Sequence, residues 1–168
     1  MGGKTIDLKI RKATKSDVSY IFELIKELAD YENLLEEVVA SEELLEETLF
    51  GINSQAEVNL AFDKKDIVGF ALYYQTFSTF LGCPGIYLED IFVKESFRGK
   101  GFGLALLSSV ARRAKEIGGG RLEWSVLNWN KQAINFYTKV GAVPMKDWTM
   151  YRLNGEKLNN LSKEEKDK

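Results

Sequence analysis

The chain has 168 residues, 45% hydrophobic and 29% charged, enough for one well-buried core and too few for two typical domains. A net charge of −2 and a pI near 5.4 argue against a nucleic-acid binder that works by neutralising phosphates, and favour a cationic substrate. There is no histidine and one cysteine, Cys83, so the usual general base is missing, no internal disulfide forms and no metal site is expected. With no secretory leader and no apolar run near the ~18 residues that mark a membrane span, the chain reads as cytoplasmic, with neither membrane nor nucleic acid as a partner.

Taken in order, Met1–Thr5 is a loose start and Ile6–Lys12 alternates as a first strand. Thr14-x-x-Asp17 is a capping-box-like entry to a helix with an apolar face of Val18, Ile21, Phe22, Ile25, Leu28 and Ala29, running to about Tyr31. Ser41, followed by Glu42 and Glu43, starts a second helix with Leu44, Leu45 and Leu49 inward. Glu57–Phe62 and Ile67–Thr76 are strands joined through the polar Asp63–Asp66, and Phe77–Gly85 is a surface loop. A strand at Ile86–Val93 leads through a glycine-rich turn to a helix in which Leu104, Leu107, Ala111 and Ala114 repeat at helical spacing. Gly118-Gly119-Gly120 ends that helix, Arg121–Leu127 is the next strand, and Asn130 caps a short helix through Val140, closed by Gly141. Strands at Ala142–Met145 and Trp148–Leu153 finish a core of about residues 6–153, and Gly155–Lys168 is a charged tail with no core-forming pattern. The expectation is a single domain over 1–168 of α/β class, a mixed sheet in the order β-α-α-β-β-β-α-β-α-β-β with helices on both sides.

The chemistry centres on Arg98-Gly99-Lys100-Gly101-Phe102-Gly103. Its glycines let backbone curl closely around a ligand, and the free N–H groups of the following helix N-terminus favour an anion, with phosphate the obvious candidate. A Walker loop needs Lys-Ser or Lys-Thr after its last glycine, and a dinucleotide fingerprint needs GxGxxG with an acid some way downstream; neither is present. Arg98-x-x-Gly101-x-Gly103 instead resembles the acyl-CoA pyrophosphate loop of the GCN5-related N-acetyltransferases. Ile10–Thr14 with Asp17, and Asn135-Phe136-Tyr137 followed by Gly141-Ala142, are similar to the entry and C-terminal motifs of that family. Within it, Leu24–Glu32, Tyr87–Val93 and Trp129–Tyr137 resemble the spermidine/spermine N1-acetyltransferases, or diamine acetyltransferases.

The resemblance implies acetyl-CoA as co-substrate, lying between splayed parallel strands, here Ile86–Val93 and Arg121–Leu127. Its pantetheine would pair with backbone at Ile91, Phe92 and Val93, and its pyrophosphate would rest on Arg98, Gly99, Lys100, Gly101, Phe102, Gly103 and Leu104, with Asn130, Lys131, Gln132 and Ala133 nearby. It implies Tyr137 as the acid that protonates the departing thiolate, although helical spacing alone reads Tyr137 as an apolar-face neighbour of Ala133, Phe136 and Val140. It places Glu89 at the acceptor side as base, directly or through water, where the plain reading is an exposed carboxylate. Strand alternation predicts that Glu89 and Asp90 face opposite sides of the sheet, so that Asp90 pairs with a lysine or caps backbone. Tyr31, Glu32, Glu123, Trp124, Ser125 and Trp148 would line the acceptor, a small cationic amine. A homodimer is implied as well, with Trp148, Met150 and Tyr151 in the contact. Three readings of function follow: acetyl transfer to a di- or polyamine, transfer to an amino-acid side chain such as thialysine or to a protein amine, and a non-catalytic acyl-CoA-binding module.

Overall fold

The first unit of the chain, 1–125, is built on a five-stranded sheet, and a second unit spans 126–168. The computed structural model describes residues 6–163; the expected loose start at Met1–Thr5 and the last five residues of the tail lie outside the described residues. Strands β1 (Leu8–Lys12), β2 (Ala56–Asp63), β3 (Asp66–Ser78), β4 (Cys83–Val93) and β5 (Leu122–Trp124) lie side by side in that order. The first four are antiparallel neighbours, whereas β4 and β5 run parallel. A tight turn with Lys64 at φ 58° joins β2 to β3.

Helices α1 (Val18–Tyr31) and α2 (Glu42–Phe50) cover one face of this sheet. Ile21, Leu24 and Leu49 pack there with Val58, Leu60, Phe70 and Phe92, all below a tenth exposed, each contributing roughly 1.5–3 kcal/mol of burial. The other face carries α3 (Phe102–Glu116), where the Asn59 amide donates to Ser109 Oγ at 2.8 Å and Tyr73 donates to Asn59 Oδ1 at 3.4 Å. Helix α3 buries Phe102, Leu106, Leu107, Val110 and Ala114, so the expected inward Leu104 and Ala111 are both exposed. Leu104 is turned about 200° from Phe102 around the helix, away from the sheet. Leu44, also expected inward, is 49% exposed, because α2 presents Leu45 and Leu49 to the core.

Three further expectations are corrected. Phe77–Gly85 is not a loop, since Phe77 pairs with Pro84 and Ser78 with Cys83, leaving only residues 79–82 between the strands. The strand expected at Arg121–Leu127 is three residues long. In the second unit, α4 (Lys131–Lys139) and α5 (Gly155–Leu161) are the regular elements, and no strand occurs at Ala142–Met145 or Trp148–Leu153. Alternation makes a strand only where a partner completes the ladder; here Lys146 N–H bonds Pro144 and Trp148 N–H bonds Met145, a turn pattern. The described part of the tail is helical, yet α5 buries no residue.

The capping box holds the entry to α1. Asp17, 5% exposed, accepts from Thr14 N–H at 2.8 Å, Thr14 Oγ1 at 2.9 Å and both Arg11 guanidinium nitrogens at 2.7 and 2.8 Å. The Arg11 bonds lead in holding the Asp17 carboxyl well below the usual carboxylate range. A depressed folded pKa contributes stability above about pH 4 that is lost as pH falls further. Asp17→Ala is expected to cost about 3 kcal/mol at pH 7, still most of that near pH 3, and markedly less only near pH 2 and below, read from urea unfolding across these pH values.

Candidate active site

The register between β3 and β4 slips by one residue at Glu89. Asp90 pairs with Leu72 while Leu88 pairs with Tyr73, so Glu89 is the extra residue of a β-bulge. The slip resets the alternation: Leu88 shares a face with Tyr73 toward α3, whereas Asp90 shares the α1 face with Leu72 and Phe92. The expectation that Glu89 and Asp90 point to opposite faces therefore fails. Strict two-residue alternation assumes an unbroken ladder, and a bulge removes that assumption.

Around the bulge, the first unit gathers several of the expected acceptor residues. Tyr31 is the last residue of α1 and Glu32 its C-cap. Asn33 follows at φ 59°, and the bonds Asn33 N–H to Asp30 O and Leu34 N–H to Ala29 O close the helix end. Glu32 is half-buried and burial pushes its carboxyl up. Asp90 is pushed up to about 6, by burial first and then by the charges of Glu89 and Glu32. Tyr74 is also raised, by burial and then by Glu89 and Tyr87; its ring lies 5.4 Å from that of Tyr87, whose hydroxyl bonds Ser125 Oγ at 2.7 Å. Among the described residues, none of the Glu32, Glu89 and Asp90 carboxylates has an ion-pair partner. The two other expected residues of the first unit differ. Glu123 is paired with Arg121 Nε at 2.7 Å, and Trp124, opposite Leu88 in the parallel ladder, falls in register with the α3 face.

Asp90 is the residue that sequence reasoning missed. The consecutive acids of Leu88-Glu89-Asp90 are visible in the sequence, but only the bulge turns them to one side. An acid whose folded pKa lies above its unfolded value weakens the fold above about pH 6, and that penalty fades as pH falls toward about 4. Asp90→Asn is accordingly expected to stabilise the ligand-free protein by about 1–2 kcal/mol at pH 8 and by little at pH 4.5. Thermal melts across this range read the difference directly.

The parallel ladder stops early. Ile86, Tyr87 and Leu88 pair with Leu122, Glu123 and Trp124, but β4 continues to Val93. Beyond Leu88 no strand among the described residues borders that edge, so the backbone groups of Glu89–Val93 that point away from β3, apart from the Val93 carbonyl held by Arg98 Nε, are left to a ligand's amides. Phe92 is buried against α1, and Ile91 pairs with Ala71 toward the α3 side.

Gly99 and Gly101 take left-handed φ values of 72° and 91°, and Gly101 is the N-cap of α3 with no side-chain cap. The first turns of α2 and α4 are capped by Ser41 and Asn130; that of α3 leaves the N–H groups of Phe102, Gly103 and Leu104 for an anion. The two cations of the loop are turned onto protein groups. Lys100 Nζ donates to Ser96 O at 2.7 Å, and Arg98 Nε donates to Val93 O at 3.0 Å with its guanidinium 4.4 Å from the Tyr31 ring centre. The donor set therefore fits a pyrophosphate held by main chain.

In the second unit, Asn130 is buried and its Oδ1 accepts from Ala133 N–H at 3.1 Å, Lys131 Nζ bonds Asn128 O at 2.9 Å, and Gln132 is exposed. Tyr137 is half-buried on α4 with its ring 5.3 Å from Phe136, while Trp148 is 72% exposed. No helix of the described residues is long and apolar enough to cross a membrane, and none of their His, Cys, Asp and Glu side chains group in threes to hold a metal.

The site is thus built from a mixed sheet with a short parallel pair, a bulged strand beside that pair, and an uncapped glycine-led helix. The chain belongs to the acetyltransferase (GNAT) family, whose profile matches residues 21–142 and whose members use acetyl-CoA as co-substrate. It is 38% identical to the thialysine N-epsilon-acetyltransferase of Bos taurus over 91% of this chain and 96% of that protein. It is 34% identical to the L-ornithine N5-acetyltransferase of Arabidopsis thaliana over 92% of this chain and 88% of that one. Among solved structures, an integron cassette protein from the mobile metagenome of V. cholerae superposes with a TM-score of 0.78 at 30% identity, covering 95% of this chain and 99% of that one.

Proposed function

We propose that the chain transfers acetyl from acetyl-CoA to a primary amine of a small di- or polyamine, by direct attack within a ternary complex. The observation that carries this reading is the convergence of Glu32, Glu89 and Asp90 around the β4 bulge without a cationic partner among the described residues. Glu32 and Asp90 are partly desolvated with the exposed Glu89 beside them, so their charges repel, and a multiply charged amine relieves that repulsion.

In this reading the pyrophosphate rests on the N–H groups of Phe102, Gly103 and Leu104, and the pantetheine amides pair with the open edge of β4 at Ile91–Val93. Tyr31 walls the carbon chain of the amine and Glu32 holds its distal ammonium. Glu89 takes the proton of the attacking amine, directly or through water, because an ammonium of pKa ~10.4 is only ~0.1% free base near neutrality. The amine nitrogen then attacks the thioester carbonyl, the carbon–sulfur bond breaks as Tyr137 gives its proton to the leaving thiolate, and the second proton shed by the nitrogen as the amide forms returns to the Tyr137 phenolate, directly or through water. We further propose that the two units act as one domain in a homodimer; the exposure of Trp148 at 72%, Met150 at 64% and Tyr151 at 92% supports a contact there.

A second reading keeps the chemistry and makes the acceptor the side-chain amine of a diamino acid, supported by the activities named for the Bos taurus and Arabidopsis thaliana relatives. Both readings require a second cationic group on the acceptor. For butane-1,4-diamine against butylamine, kcat/KM is expected to favour the diamine by about tenfold or more, the scale of one well-placed charge pair. Asp90→Asn is expected to narrow that preference to about threefold, whereas equal kcat/KM for the two amines in the unmodified enzyme would remove the carboxylate cluster from acceptor recognition.

A further inference from the structure

The 3₁₀ turn Glu95–Phe97 and its flanking residues lie between the end of α1 and the start of α3, and are fastened to both. On the α1 side there are two rungs. Lys94 Nζ bonds Glu27 Oε1 at 2.9 Å, and the Arg98 guanidinium stacks 4.4 Å from the Tyr31 ring centre. Glu27 and Tyr31 are four residues apart on the helix, and Lys94 and Arg98 are four apart across the turn, so the rungs are in step. On the α3 side, Phe97 meets Phe102 edge-to-face at 6.1 Å, and Phe102, the first residue of that helix, is 1% exposed. The turn is held to the sheet as well, through Lys94 N–H to Val68 O at 2.9 Å and Arg98 Nε to Val93 O at 3.0 Å.

We propose that this clip couples the two substrate sites: filling the glycine loop with the cofactor tightens the amine site at Tyr31 and Glu32, with Arg98 and Tyr31 as positioning residues. The inference rests on the acetyltransferase reading above and goes beyond it, because it gives Arg98 a task away from the phosphates. The physical reason is that Arg98 is tied at both ends. Its backbone enters the Gly99–Gly101 loop, whose left-handed geometry sets the direction of the α3 N–H groups, while its planar cation lies against the ring that borders the amine. An anion that fixes the loop restricts the guanidinium, and a restricted guanidinium restricts Tyr31 and the helix end beside Glu32. By reciprocity, the amine tightens the cofactor by the same factor.

Calorimetry on the full chain, with coenzyme A and butane-1,4-diamine as probes so that no turnover occurs, tests this. In the unmodified protein the diamine is expected to bind about three- to tenfold more tightly when coenzyme A is saturating. Tyr31→Phe keeps the ring face and should retain that ratio. Tyr31→Leu and Arg98→Lys should bring it to within twofold of unity, and Lys94→Gln, which breaks the other rung, should lower it partway. A ratio near one in the unmodified protein, or an undiminished ratio in Tyr31→Leu, overturns the coupling. Absence of any coenzyme A binding by the unmodified protein instead overturns the acetyltransferase reading on which it rests.

Discussion

Tyr137→Phe is expected to lower kcat by about 10²-fold or more while leaving acetyl-CoA affinity within a factor of two, the usual scale for loss of one general acid. The substitution keeps the ring and its contact with Phe136 at 5.3 Å, so packing in α4 is preserved and only the proton donor is removed. A phenol of pKa ~10 is protonated at neutral pH and can donate to a thiolate whose conjugate acid has pKa ~8.5. Glu89→Gln should behave differently. Its defect is expected to be largest near pH 7, where the amine is almost wholly protonated, and to shrink as pH approaches the amine's own pKa. Stopped-flow thiol release across pH 7–10 separates the two: near-normal turnover in Tyr137→Phe returns Tyr137 to packing, and a pH-independent loss in Glu89→Gln makes it a positioning charge.

Gly101→Val is expected to weaken acetyl-CoA binding by ~100-fold or more, with a modest change in melting temperature. The cause is conformational. Gly101 has φ 91°, and a Cβ there would meet only Leu8 Cδ1 at 3.8 Å, so the protein has room for a side chain but the backbone state is wrong for one. A β-branched residue would move toward negative φ and re-aim the uncapped N–H groups of Phe102, Gly103 and Leu104, main-chain donors that matter more because the Lys100 and Arg98 side chains are engaged elsewhere. Isothermal titration with acetyl-CoA measures this, and undiminished affinity in Gly101→Val would displace the pyrophosphate from the loop.

What could be read from the sequence was what local chemistry decides. The helix start at Asp17–Val18 and its end at Tyr31, the Ser41 and Asn130 caps, and the glycine turn ahead of α3 all follow from residues adjacent to the feature they cause. Features set by distant partners were not legible. The bulge at Glu89 exists because β3 pairs Leu72 and Tyr73 out of step with β4, and nothing within Leu88-Glu89-Asp90 announces it. The expected strands at Ala142–Met145 and Trp148–Leu153 have the right alternation but no ladder, so pattern alone did not suffice. The phase of α3 depended on Phe102, which the glycine loop had marked as a turn residue rather than a core one. For the site, residue types were legible at Glu89 and Tyr31, but the partners were not: Arg121 neutralises Glu123, and Arg98 turns to Tyr31.

The most direct measurement is thiol release from acetyl-CoA by the unmodified protein over a panel of monoamines, diamines, polyamines, diamino acids and lysine-containing peptides. Turnover is expected to require a primary amine and to be greatest for small acceptors with a second cationic group, with monoamines lower by about tenfold and peptides near background. No thiol release with any amine, or a preference for peptides over every small diamine and diamino acid, would contradict that expectation.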